Sequence, residues 1–220
     1  NAASNAVSIT VDTLRPTVSV SSDRTLFKAG DRATLTFTLS ESSTSFSADS
    51  VTVLGGGTLS DFGGSGTGYT ATYTPQTGVS STPRISVGSG AFSDAVGNTN
   101  QDGADGDNAV SFTVDTLRPT VVVSADASSL KAGESTTVRF TVSESVTNFD
   151  ITDVARVAGG QLSNFGGSGT GYTATYTPLS NSTTTESISV GGGAFVDAAG
   201  NDNAASNAVS ITVDTLRPTV

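Results

Sequence analysis

Cysteine, histidine, methionine and tryptophan are all absent from the 220 residues. Without cysteine there is no disulfide, no thiolate nucleophile and no Cys/His zinc site. Without histidine there is no imidazole base. Lys28 and Lys131 are then the only amine bases, so the many Ser and Thr hydroxyls have little to activate them as nucleophiles, and no enzyme is expected. Basic residues are scarce as well: 10 Lys and Arg stand against 20 Asp and Glu, a net charge of −10. That balance offers no basic face for nucleic acid or anionic lipid. No apolar run is long enough to insert into a membrane, and no segment has helical periodicity. An acidic surface either keeps a protein soluble or attracts hard cations.

What is present is repetition. Val-Asp-Thr-Leu-Arg-Pro-Thr-Val occurs at 11–18, 114–121 and 213–220, about one domain length apart. Pro16, Pro119 and Pro218 fix φ and remove a backbone donor, so the chain turns there and cannot continue as a central strand. Only Thr-Leu-Arg-Pro separates each Asp from the next strand, a joint with less freedom than a Gly/Ser linker. Residues 1–18 are identical to 203–220. The register predicts the last strand of a preceding repeat at 1–11, repeat one at 12–114, repeat two at 115–213 and the start of a following repeat at 214–220. The sequence then reads as a window on a longer array.

Within each repeat, apolar residues alternate with Ser and Thr, the period of a strand with one buried face. Val7, Ile9 and Val11 predict a half-buried strand. Ala33, Leu35, Phe37 and Leu39 predict another, matched by Val138, Phe140 and Val142. A Ser-Glu pair ends that strand at 40–41 and again at 143–144. Phe-Gly-Gly-Ser-Gly-Thr-Gly-Tyr-Thr-Ala-Thr-Tyr-Thr-Pro is identical at 62–75 and 165–178 and reads as turn, then strand. Gly64, Gly66 and Gly68 are expected to supply positive φ in the turn. They do not form a phosphate loop, because no Lys-Ser/Thr follows and no helix begins. Asp-Ala-(Val/Ala)-Gly-Asn follows at 94–98 and 197–201. Repeat one then carries an insertion with Asp102, Asp105 and Asp107, whose spacing lacks the twelve-residue calcium-loop pattern and predicts a solvated acidic loop. Phe37, Phe46, Tyr69, Tyr73 and Phe92 fall at core positions rather than on a sugar-binding platform. Roughly seven short strands in about 100 residues, with no helix, predict an all-β fold of tandem antiparallel β-sandwiches.

The ordered set of motifs resembles the bacterial Ig-like repeats of giant surface adhesins exported by type I secretion, the RTX type. It comprises the Val-Asp-Thr-x-x-Pro-Thr joint, the Lys-Ala-Gly-(Asp/Glu) turn at 28–31 and 131–134, the Ser-Glu strand end, the Gly-rich turn and Asp-Ala-x-Gly-Asn. The likeness covers essentially the whole chain. It implies tandem Ig-like sandwiches in an elongated array, on the bacterial cell surface, serving cell adhesion and biofilm formation. It implies a shaft that spaces a distal domain, which binds the host or surface ligand, from the cell. The implied partners are neighbouring repeats of the same chain, and the implied ion is calcium near the joints.

The topology of an Ig-like sandwich adds a second line. Successive strands alternate direction, so the incoming joint, the loop after the Ser-Glu strand and the last inter-strand loop meet at one pole. That gathers Asp12, Glu41, Asp94 and Asn98 in repeat one, and Asp115, Glu144, Asp197 and Asn201 in repeat two. Carboxylates and an amide converging from distant positions repel if bare. Calcium takes 6–8 oxygen ligands in flexible geometry, whereas magnesium demands a stricter octahedron. The same acids could instead cap turns through their own backbone, and the residues alone leave both readings open. For function, a module that grips a glycan or protein directly is the alternative to a spacer. Near-identical copies favour the spacer, because a receptor site needs one distinctive surface.

Overall fold

The computed structural model describes residues 4–102 and 106–218, which divide into two compact units, Asn1–Thr116 and Leu117–Val220. Each is all-β apart from one short 3-10 turn, Ala48–Ser50 or Ile151–Asp153. Among the described residues no helix is long and apolar enough to cross a membrane.

In the first unit, strand Ala33–Ser43 lies between Val18–Ser22 and Thr58–Thr74, antiparallel to both. The other layer holds Val51–Leu54, Arg84–Val87 and Ala109–Ser111, continued by Leu26–Phe27, Thr113–Asp115 and Ser80–Ser81. The second unit has the same plan. One sheet runs Val121–Ala125, Thr136–Val142, Gly171–Thr177, Gln161–Ser168, and the other Ser129–Lys131, Val209–Asp214, Thr183–Val190, Val154–Arg156. In the first unit the final piece of the last strand, Thr113–Asp115, is central, and in the second the whole of Val209–Asp214 is. Val209–Asp214 pairs in parallel with Ser129–Lys131 and antiparallel with Thr183–Val190.

The apolar residues of each alternation face inward. Leu35, Phe37, Tyr73, Ile85 and Val87 form the centre of one core, and Val138, Phe140, Ile188, Phe195 and Ile211 that of the other. Full burial of side chains this size contributes ~1.5–3 kcal/mol each. Phe46 sits edge-on to Tyr69 at 5.0 Å between ring centres, and Phe149 repeats the contact with Tyr172 at 5.0 Å. Such pairs add ~0.5–1.5 kcal/mol beyond the area they bury.

Residues 7–11 form no strand, and Val7, Ile9 and Val11 are 83%, 80% and 76% exposed. A strand needs a ladder partner, and within this chain none lies beside them. The Gly-rich stretch turns the chain back on itself in the first unit as expected, bringing Phe62 to stack on Tyr69 at 5.9 Å within Thr58–Thr74. The second unit does the same, with a turn at 169–170 between Gln161–Ser168 and Gly171–Thr177 and Phe165 stacked on Tyr172 at 5.9 Å. Of the three glycines expected at positive φ, Gly64 and Gly66 have it and Gly68 does not. A Cβ at Gly64 would run into the Gly68 carbonyl, and one at Gly167 into that of Gly171, so glycine is required by close backbone approach. The insertion is not simply a solvated loop either. Asp102 is 7% exposed, and its carboxylate accepts the Val18 N–H at 2.6 Å and an Asn100 amide N–H at 2.7 Å. The Asp107 carbonyl accepts the Val20 N–H. Both residues anchor the first strand. Asp105 lies outside the described residues.

Pro16 and Pro119 are buried in the units they open, whereas Pro218 is exposed. The Pro16 carbonyl accepts the Gln101 N–H at 3.0 Å, and the Pro119 carbonyl accepts that of Ala204 at 2.9 Å. The following threonine bonds twice to the Ser of the Ser-Glu pair. Thr17 N–H donates to Ser40 Oγ and Ser40 N–H to the Thr17 carbonyl, with Thr120 and Ser143 doing the same.

Candidate metal centre

Asp12, Glu41 and Asp94 each offer a carboxylate oxygen, and these oxygens lie within 4.8 Å of one another. They come from the joint, from strand Ala33–Ser43 and from the last inter-strand loop. Asp12 is exposed, Glu41 half-buried and Asp94 buried. Asp94 is held by its own turn. Its Oδ1 accepts the N–H groups of Val96, Gly97 and Asn98 at 2.7–2.9 Å, and its Oδ2 accepts the Asn98 side-chain amide at 2.7 Å. The same amide donates to the Asp12 carbonyl at 3.2 Å, tying the joint to the loop.

The electrostatics differ between the acids. Burial pushes the Asp94 pKa upward, but the side-chain bond from Asn98 and the backbone donors outweigh it and hold the group below its ordinary 3.8. Among the described residues Glu41 has no such donors. Desolvation first, then repulsion from Asp12 and Asp94, raise it above its ordinary 4.5. The cluster therefore has one carboxylate fixed in the ionised state and another that its neighbours disfavour. A divalent cation would reverse that repulsion. The turn-capping role and the ligand role are compatible here, because the backbone donors converge on Oδ1 of Asp94 and leave Oδ2 with the Asn98 amide alone. The donor set, all oxygen and loosely arranged, fits calcium better than zinc or a softer metal.

In the second unit Asp197 and Asn201, both buried, repeat the ring. Asp197 Oδ1 accepts the Asn201 N–H and Oδ2 its side-chain amide, each at 2.8 Å. Glu144 is half-buried, two residues after strand Thr136–Val142. Asp115, the counterpart of Asp12, ends strand Thr113–Asp115 of the first unit.

Several residues beyond these support the site. Asn100 and Asn203 are fully buried. Asn100 accepts the Phe92 N–H and donates to the Gly88 carbonyl, while Asn203 accepts from Ala194 and Phe195 and donates to Gly191 and Ala204. They peg the loop that carries Asp94 or Asp197. The signal was present as the second Asn in Asp-Ala-x-Gly-Asn-x-Asn. Thr116 and Thr215, the Thr of the joint motif, are buried clamps. Thr116 bonds to Gln76 and Val79, and Thr215 to Leu179 and Ser182. Glu186 has no counterpart signal at all. Wholly buried, it accepts the Val157 and Ala158 N–H groups and the Tyr176 hydroxyl, where repeat one has Pro83. Burial, then Glu186, pushes the Tyr176 hydroxyl up to about 12.

A family model described as bacterial Ig-like domain matches residues 12–114 and again 115–213. No curated protein matches the chain. Among solved structures, the chain is similar to FdeC, described as a broadly conserved Escherichia coli adhesin. That match has 17% identity over 90% of this chain and 64% of that one, with a TM-score of 0.49. The Yersinia pseudotuberculosis adhesin InvE matches at 13% identity over 90% of this chain and 58% of its own, with a TM-score of 0.33. Fibronectin(III)-like modules of Clostridium thermocellum CbhA match at 16% identity over 90% and 94%, with a TM-score of 0.30. The chain thus spans less than two thirds of the length of the first two.

Proposed function

Because the chain belongs to the bacterial Ig-like domain family, in two tandem copies, we propose that it is a structural extender from the shaft of a secreted, surface-attached bacterial adhesin, with calcium stiffening its joints. The observation that carries this reading is the meeting of Asp12, from the joint, with Glu41 and Asp94, from the body of the repeat. A cation shared by those acids would tie the incoming chain to the domain it enters. Asp12, Glu41 and Asp94 would hold calcium in repeat one. By sequence equivalence, Asp115, Glu144 and Asp197 would hold it in repeat two, with Asn98 and Asn201 positioning the loop acids. Calcium would supply the positive charge that the cluster lacks. Two separate buried cores, one per repeat, are in keeping with a mechanical role. The ligand of the whole adhesin, bound by another domain, belongs to the same proposal.

Small-angle scattering and thermal melts with calcium and then with chelator test it. The maximum dimension should rise and the melting temperature should increase with calcium. An ion bound only by the folded state adds RT ln(1 + [L]/Kd), ~2.7 kcal/mol at a hundredfold excess over Kd. If both quantities stay unchanged, calcium does not rigidify this joint. Micromolar hits on a glycan array would favour a direct binding module instead.

A further inference from the structure

We infer that Asp102 in the first unit and Asn207 in the second are edge guards. Their side chains occupy outward backbone groups of the strand that opens each sandwich, so that a second copy of this chain cannot add a strand there. The inference concerns the flank of each unit and stands whether or not the joints bind calcium.

Val18–Ser22 and Val121–Ala125 are end strands of their sheets. Each pairs on one side only, with Ala33–Ser43 or with Thr136–Val142. An end strand presents a row of N–H and C=O groups on which another chain can build its own strand. Here those groups are already taken. The Asp102 carboxylate accepts the Val18 N–H at 2.6 Å, and the Asp107 carbonyl accepts the Val20 N–H at 2.8 Å. A bond to a carboxylate is stronger than one between neutral groups. In the second unit one amide serves both groups of Val123. Asn207 Oδ1 accepts its N–H at 2.9 Å, and Asn207 Nδ2 donates to its carbonyl at 2.8 Å. That is the bonding of a neighbouring strand, supplied by a single side chain.

The two repeats cover this edge with unlike atoms. Val20 and Val123 are equivalent positions, and Asn108 is the counterpart of Asn207. Asn108 does not guard the edge, however. It exchanges two bonds with Val87, its amide donating to the Val87 carbonyl and its carbonyl accepting the Val87 N–H. The main chain of Asp107 takes its place at Val20. Asp102 has Ala205 as counterpart, which has no polar group to offer Val121. Different groups converging on one edge point to the edge itself as the thing being satisfied. The other edges are blunted by other means. Gln161–Ser168, at the far side of the second unit's sheet, shifts register between Ser163 and Gly166, with Asn164 at φ 53°. Asp61, at the same place in the first unit, has φ 51°. Such a bulge bends an edge away from a flat partner. The second unit's other sheet ends in Ser129–Lys131 and Val154–Arg156, edges of three residues each.

The test uses the full chain in size-exclusion chromatography with light scattering, over a concentration series well below the melting temperature. Asn207→Ala and Asp102→Ala should each associate at concentrations about tenfold lower than the unsubstituted chain. They lie in different units, so one still tests the inference where the other fails to fold. Asp102→Asn, which keeps an oxygen for the Val18 N–H, should stay monomeric. Ile188→Val, a change in the second core that touches no guard, should also stay monomeric although it too lowers the melting temperature. Hydrogen exchange locates the contact. In dilute Asn207→Ala the Val123 amide should exchange about tenfold faster than in the unsubstituted chain, and its protection should return in the associated species. The Val18 amide should behave likewise in Asp102→Ala. Alanine variants that stay monomeric across the series, with that amide protection lost, would overturn the inference. So would equal association by Ile188→Val, or association that leaves the Val18 and Val123 amides unprotected.

Discussion

Residues 7–12 and 209–214 spell the same sequence, Val-Ser-Ile-Thr-Val-Asp, and have opposite fates. At 209–214 the segment is a central strand, hydrogen-bonded on both edges, with Ile211 fully buried. At 7–12 it pairs with nothing in a ladder, and Ile9 is exposed. Propensity, alternation and flanking residues are equal by construction. The difference lies in whether two strands from distant positions are there to receive it. β propensity is thus a statement about fitting a half-buried pleated surface, not a property that folds a segment by itself.

Hydrogen exchange should give the largest contrast. Amides of Ile211 and Val213 should exchange only through opening of the second unit, slower than unprotected chain by roughly a thousandfold or more. Those of Ile9 and Val11 should exchange near the unprotected rate. Matched protection at dilute, monomeric concentration would erase the comparison. Next in size is one substitution made twice. Ile211→Ala removes a fully buried side chain and should cost about 2–5 kcal/mol in denaturant unfolding of the second unit. Ile9→Ala should stay within about 0.5 kcal/mol. Equal costs would mean that residues 7–11 are packed in solution.

The final residue of the segment sharpens the comparison in the other direction. Asp12 joins Glu41 and Asp94, whereas Asp214 lies opposite Lys131 and, among the described residues, in no such acidic group. Asp12→Asn should therefore weaken calcium binding by about tenfold or more by calorimetry, and Asp214→Asn should leave it unchanged. The smallest effect expected is that of pH. The Glu41 pKa is raised in the folded, metal-free protein, so its ionised form opposes folding above the ordinary 4.5, and that penalty is relieved as pH falls through the raised value. Asp94 is depressed, so its contribution is present above 3.8 and is lost only as pH falls through its lower folded value. Calcium affinity should begin to fall through the Glu41 range, above 4.5, while the Asp94 turn is still intact. Glu41→Gln should remove that first step from the pH profile. An unaltered profile would exclude Glu41 as a ligand.

Much of the fold was legible because alternation of period two is a local pattern with a direct physical meaning. Phe37, Val138 and Ile188 needed only their neighbours to be read as inward-facing. The acids of the candidate centre were legible for another reason: strand order in a sandwich sends particular loops to one pole. Asp102 was misread because an Asp in a Gly-Asp-rich insertion has the composition of a solvated loop. Its burial depends on the Val18 N–H, distant in sequence, waiting for an acceptor. Glu186 was missed for a similar reason. A Glu within a Thr/Ser run reads as an exposed strand position. Only the Val157–Ala158 backbone and Tyr176, arriving from other strands, turn it into the hub of a buried cluster.

The sequence by itself determined that the chain is built of repeats, where each repeat begins, which face of each strand is apolar, and which chemistries are impossible without Cys or His. These follow from spacing and residue type, which no folding event alters. Tertiary structure alone decided which buried carboxylates are satisfied. It also decided which acids stand close enough to repel. Ladder bonds, desolvation and Coulomb repulsion all depend on distance between residues far apart in the chain, and that distance exists only after the sheets have closed.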